Sequence, residues 1–286
     1  MATSIGRVWD STVDAARGRA GVVAPIAALA FLLPAVLQNG VAAFGDPNGA
    51  STAVLMIVVA LATLVLAIWG QLAIIAIATD PATTGGEASA QGWRRFPAGI
   101  GVGILVALIV VAAALPILIG LAVSGIDFAA MARAAETGQP VAMTTPPSGG
   151  ALLFVALYGL FYLGFVFWFG ARVVLYIAVV LNERRGVGAI TRALHLSRGL
   201  TWKLIGVFIL YLVVLIVAMS AAQAVVFLPL RLMLGEGQTA VAGFIGAVAA
   251  SVVSAVLVSL FSIFVARLYV ATAGAPQIAK GTAPAP

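Results

Sequence analysis

The chain has 286 residues, of which 63% are hydrophobic and only 8% charged, whereas a soluble globular domain carries about 25% charged residues. With a mean hydropathy of +1.17 it excludes a soluble fold, and the absence of cysteine excludes disulfides, thiolate metal sites and cysteine nucleophiles together. The formal charge of +6 does not point to nucleic acid, because the basic residues stand at the ends of apolar runs and not on one patch.

The first twenty residues set Asp10 and Asp14 among Arg7, Arg17 and Arg19. They lack the short apolar core and small-residue cleavage site of a signal peptide, so the first apolar run reads as an uncleaved anchor. Ile5, Val8, Trp9, Val13 and Ala16 recur at helical spacing after a cap at Thr3 or Ser4, which predicts a short amphipathic helix over 1–20.

Six apolar stretches follow, at 21–44, 53–78, 98–124, 151–181, 204–234 and 240–272. Each is long enough to cross a hydrocarbon layer of about 30 Å as a helix, which takes roughly 20 residues. The runs are unbroken, without the inside-outside alternation of an outer-membrane barrel. They predict an all-α, polytopic transmembrane bundle of one domain. Pro25 and Pro34 in the first run and Pro229 in the fifth predict kinks. Gly99, Gly101 and Gly103 in the third and Gly243 and Gly246 in the sixth are candidates for close helix packing, against the plainer reading of a composition rich in glycine and alanine.

The connections set the orientation. All of the 15 Lys and Arg residues except Arg133 and Arg231 fall on the side of the termini and of the second and fourth connections. The positive-inside rule makes that side cytoplasmic. The second connection places Trp93 and Phe96 beside Arg94 and Arg95; in the fourth, Val187, Ile190 and Leu194 are expected on one side of a helix and Arg192, His195 and Arg198 on the other. A tryptophan and a cation recur at the membrane edge, as Trp9 with Arg7, Trp93 with Arg94, and Trp202 with Lys203. Indole rings belong at the headgroup level and the cations attract anionic lipid. This alternation reads either as three copies of one unit, an interfacial helix followed by a span out and a span back, or as the ordinary pattern of a polytopic chain. The third connection, 125–150, predicts a short helix over 127–137 ended by Gly138 and an irregular stretch through Pro146 and Pro147; residues 273–286 read as a disordered tail.

Little in the chain can carry bond chemistry. The acidic residues Asp10, Asp14, Asp46, Asp80, Glu87, Asp127, Glu136, Glu183 and Glu236 all fall outside the six spans, which argues against a proton relay or a carboxylate cation site. His195 has no acidic or histidine neighbour at helical spacing and reads as interfacial, so neither a metal nor a cofactor is expected. Arg172 is followed by nine apolar-dominated residues. Its guanidinium either snorkels to the headgroups or is buried and paired; snorkelling is favoured, and Arg267 is read the same way. Gln38, Asn39, Gln71 and Gln223 suit interhelical hydrogen bonds, or, with Tyr158, Tyr162 and Tyr211, a substrate path.

The stretch 170–203, GARVVLYIAVVLNERRGVGAITRALHLSRGLTWK, resembles the integral membrane domain attached to some glycerophosphoryl diester phosphodiesterases and the related YciC-like membrane proteins. An arginine closes a span (Arg172), an aliphatic run leads to Glu183 and Gly186, and a small-aliphatic helix reaches Ser197, Gly199 and Trp202. Many members carry a proline between the arginine and the glutamate, and residues 173–182 contain none. The resemblance implies a polytopic helical domain and brings no catalytic residues, since the phosphodiesterase's soluble barrel is absent. Arg172, Glu183, Arg184, Arg185, Arg192, Ser197, Arg198, Trp202 and Lys203 are the candidate structural or lipid-contact residues. The expected function is that of a non-enzymatic bacterial inner-membrane protein of unassigned biochemical role, for which organising or sensing lipids, with anionic headgroups as its partner, is the suggestion the basic interfacial helices make; the alternative is a small-solute or lipid transporter.

Overall fold

A computed structural model describes residues 4–46, 49–123, 148–184 and 186–273. The expected helix at 127–137, the tail from 274 onward and Arg185 lie outside the described residues. The described elements are helical, and six helices are long and apolar enough to cross a membrane. In chain order they are α1 (Ile5–Ala27), a π-helical turn (Ala28–Leu32), α2 (Leu33–Phe44), α3 (Ala50–Thr79), α4 (Gly85–Val123), α5 (Gly149–Val173), α6 (Tyr176–Asn182), α7 (Gly188–Leu196), α8 (Thr201–Leu234), a 3-10 turn (Glu236–Gln238) and α9 (Thr239–Ala273). The chain is a multi-pass, all-α membrane protein. Every expected span is present, because backbone N–H and C=O groups in hydrocarbon must be satisfied within the segment that carries them.

Two amphipathic segments expected to stand apart are continuous with the spans that follow. Ile5–Phe44 is one rod of 40 residues and Gly85–Val123 one of 39. At 1.5 Å per residue each is about 60 Å long, twice the hydrocarbon thickness, so the leading turns project beyond it. Only the third such segment, α7, is a separate helix. Gly199, at φ +78°, supplies the left-handed residue that parts it from α8, a conformation in which a side chain is strained.

The contacts divide the chain into two compact units. The first comprises residues up to Val102 and from Ala171 onward. Its centre is α9, which touches α1, the π turn, α2, α3, α6, α7 and α8. Small residues allow this: Ala242, Gly246, Ala250 and Ala255 recur along buried positions of α9, and a Cβ on Gly246 would meet Phe227 and the Gln223 carbonyl at 3.1 and 3.2 Å. Gly99 is likewise tight against Leu72, whereas Gly101 and Gly243 face open space, so the small-residue expectation holds at some positions and is mere composition at others.

Burial in this unit is graded along the helices. In α3 every residue from Leu72 to Thr79 is buried, while Val54, Leu55, Ile57, Val58 and Leu61 are exposed. Ala178 to Leu181 of α6 and Ile263 to Ala266 of α9 are buried as well. The unit is therefore dense where α3, α6 and α9 end. Arg19, Arg192 and the start of α4 lie against this end, called the basic end below.

The second unit, Gly103–Gly170, pairs the remaining parts of α4 and α5. Tyr158 donates its hydroxyl to the Ala113 carbonyl at 3.0 Å and Tyr162 donates to Val110 at 3.4 Å. These acceptors lie near Ala112, whose carbonyl has no helical partner because Pro116 carries no N–H. The two tyrosines thus serve packing between helices, as interhelical bonds commonly do in membranes.

Pro25 and Pro34 bracket the π turn, where the ladder of the first span widens. Gly70 of α3 fits against it so closely that a Cβ there would overlap the Ala30 Cβ. Gly70→Ala should lower stability by about 1–3 kcal/mol through overpacking, read as a lower unfolding midpoint in detergent. Ala30→Gly in the same chain should restore part of the loss. An unchanged midpoint for the single variant would contradict the contact.

Candidate functional site

The candidate residues lie on the chain from Arg172 to Lys203. After Val173 the fourth span breaks at Val174 and Leu175 and resumes as α6, although no proline stands there. The break matters because the last carbonyls of a helix have no partner within it. One of them is supplied from 25 residues away: the Ser197 hydroxyl, fully buried, donates to the Arg172 carbonyl at 2.9 Å, with the Leu194 carbonyl also near at 3.3 Å. Ser197 thereby fastens the end of α7 to the end of α5.

A second clasp is ionic. After Asn182 the chain reverses through Arg184, whose φ of +54° is left-handed, an arrangement that costs a non-glycine residue roughly 1–2 kcal/mol. Glu183, partly buried, accepts the Arg192 Nε–H at 3.0 Å and the Tyr269 hydroxyl at 3.4 Å through one carboxylate oxygen. The loop is thus tied both to α7 and to the central helix α9.

These bonds correct the expected face of α7. Arg192 does not lie with His195 and Arg198 on the exposed side; it is half-buried and turned to Glu183. Val187, expected on the buried side, is 66% exposed. Ala189, Ile190 and Ala193 form the buried stripe instead, because alanine lets α7 approach the core where a longer side chain would hold it off. In α1 the buried stripe is Val8, Thr12 and Ala15, with Trp9 exposed beside it.

The candidates therefore separate. Glu183, Arg192 and Ser197 are inward clasps, and Arg172 contributes its carbonyl while its side chain is half-buried. Arg184, Arg198, Trp202 and Lys203 face outward, Trp202 at 84% exposure. Exposed cations next to an exposed indole are suited to a headgroup surface, where polybasic segments attract anionic lipid.

Three contributors were not singled out from sequence. Tyr269 could have been found only as a polar tip near the end of an apolar span. Arg19 donates from both terminal nitrogens to the Pro81 and Thr83 carbonyls, capping the connection between α3 and α4. Thr84 and Glu87 form a capping box: the Thr84 N–H donates to Glu87 Oε2 at 2.9 Å and the Glu87 N–H donates back to Thr84 Oγ1 at 3.3 Å. The Thr-x-x-Glu spacing at the start of α4 is its sequence signature. At the same end, Trp93 stacks on Trp69 at 5.9 Å.

No protein-family model, curated protein or solved structure matches the chain.

Removing a clasp strands a buried partner, which costs about 1–3 kcal/mol, less for a pair partly open to solvent. Ser197→Ala and Glu183→Ala should each lower unfolding free energy in detergent by about 1–2 kcal/mol, while Arg198→Ala stays within about 0.5 kcal/mol. Equal effects at all three positions would contradict the division into clasps and surface.

Proposed function

We propose that this multi-pass membrane protein is a non-enzymatic, lipid-organising component of a bacterial inner membrane, with both termini and the basic end in the cytoplasm. The observation that carries the reading is the division of polar groups. Inside the bundle several are spent on one another: Gln38 donates to Thr63 at 3.1 Å and Asn39 to Ser251 at 3.1 Å. Ser251, Ser259 and Ser262 donate to carbonyls one turn earlier in α9. At the basic end Arg184, Arg198 and Lys203 are left facing outward beside Trp202.

A solute transporter is the competing reading, since two spans are irregular, at Ala28–Leu32 and at Val174 and Leu175, and transporters place substrates at broken helices. Here the irregular backbone meets Gly70 in one case and the Ser197 hydroxyl in the other. Both are packing contacts, which favours the lipid reading.

The test uses the full chain in nanodiscs of phosphatidylglycerol or phosphatidylcholine. The anionic lipid should raise thermal stability over the neutral one at low salt. Neutralising Arg184, Arg198 and Lys203 to Gln should remove most of the difference, at about 1 kcal/mol per cation, and salt should weaken it. Equal stability in both lipids would sink the lipid reading; solute-dependent flux in proteoliposomes would establish the transporter.

A further inference from the structure

A polar group inside a hydrocarbon layer is costly unless it finds a partner, and the serines of α9 show the usual remedy: Ser251, Ser259 and Ser262 donate to carbonyls one turn earlier. Ser220 and Gln223 of α8 do not. Neither has a hydrogen-bond partner among the described residues, and both are exposed. The stem of Gln223 lies over α9, since a Cβ on Gly246 would sit 3.4 Å from its Cγ, while its amide has two donors and an acceptor unspent. Ser220 lies about 24 Å from Leu204 along the helix and Gln223 about 16 Å from Leu234, so apolar chain flanks the pair on either side. Gln71 and Ser254 also lack a partner among the described residues, but neither has a second such group one turn away.

The two residues also continue a seam. Ile209, Val213, Ile216, Ser220 and Gln223 follow one another at alternating steps of four and three, the heptad spacing that holds one stripe of a helix against a partner helix, and all are exposed. Ala224 beside them is small enough for two backbones to approach closely. Copies of one chain inserted alike in a membrane are related by an axis along its normal, so a residue near that axis meets its own counterpart at the same depth. A glutamine amide suits this meeting because it is self-complementary: the Nε2 group of each copy donates to the Oε1 of the other. A wholly apolar seam would be satisfied by lipid tails, which offer an amide nothing. We propose that α8 is the interface of a parallel homodimer in the membrane, with Ser220 and Gln223 pairing with their counterparts across the two-fold axis. The pairing does not depend on the lipid reading above.

The test is cysteine crosslinking of the full chain in the membranes of expressing cells, with no native cysteine to interfere. Ile216→Cys and Ala224→Cys, on the seam, should each give a disulfide-linked dimer on oxidation. Val214→Cys and Val225→Cys, exposed on the same helix but turned away from the seam by its 3.6-residue period, should not. Subunit counting in proteoliposomes at falling protein-to-lipid ratio then measures the association. Gln223→Leu should weaken it about tenfold, the size of two interhelical hydrogen bonds, whereas Gln223→Asn, which keeps an amide, should retain most of it; circular dichroism and gel filtration report that each variant folds. Crosslinking as strong at 214 and 225 as at 216 and 224, single subunits at every density, or an unchanged association for Gln223→Leu overturns the interface. A crosslink from the seam to a different polypeptide in place of a second copy overturns it as well.

Discussion

The first unit depends on how closely helices can approach α9. In hydrocarbon no hydrophobic force drives helices together, so association comes from van der Waals contact and a few hydrogen bonds. Contact needs small side chains, and α9 presents Ala242, Gly246, Ala250 and Ala255 along buried positions. Eight other elements meet this one helix. The tightest approach elsewhere, Gly70 on Ala30, follows the same rule and locks α3 to the π turn of the first span.

Dense packing at the basic end then creates a polar problem. The fourth span breaks where it enters the core, leaving carbonyls that the helix cannot satisfy, and the loop that follows contains charges. Ser197 answers the first difficulty at the Arg172 carbonyl, and Glu183 gathers Arg192 and Tyr269 to answer the second. Arg19 does the same for the connection between α3 and α4. Once these groups are paired inward, Arg184, Arg198, Lys203 and Trp202 remain for the surface. Surface chemistry at this end is thus a consequence of which cations the fold has already used.

The six spans were legible in the sequence because an apolar run of twenty or more residues has few other uses. The all-α bundle is the result. Local signals were less complete. Continuity of α1 and α4 with their leading turns was missed, since an amphipathic stretch and an apolar stretch are both helical and nothing in composition marks a join. The break at Val174 and Leu175 was hidden inside an aliphatic run without proline. Periodicity groups Val187 with Ile190 and Leu194 and sets Arg192 opposite them, but it carries no sign that Ala189 and Ala193 are the residues chosen for burial. Gly70, Tyr269 and Arg19 act through partners 40 to 86 residues distant, which no local pattern reports. The Thr84 and Glu87 box, by contrast, is a local signal, written in the Thr-x-x-Glu spacing itself.

The arrangement of ends about the membrane is the claim on which the functional reading rests, and the natural absence of cysteine makes it directly measurable. Single cysteines introduced as Asp46→Cys, Gly86→Cys, Thr191→Cys and Gln238→Cys can be labelled in intact cells with a membrane-impermeant maleimide. Labelling at 46 and 238, and at 86 and 191 only after the membrane is opened, is the result expected of six crossings with the basic end inside. Labelling of 86 and 191 from different sides would contradict it.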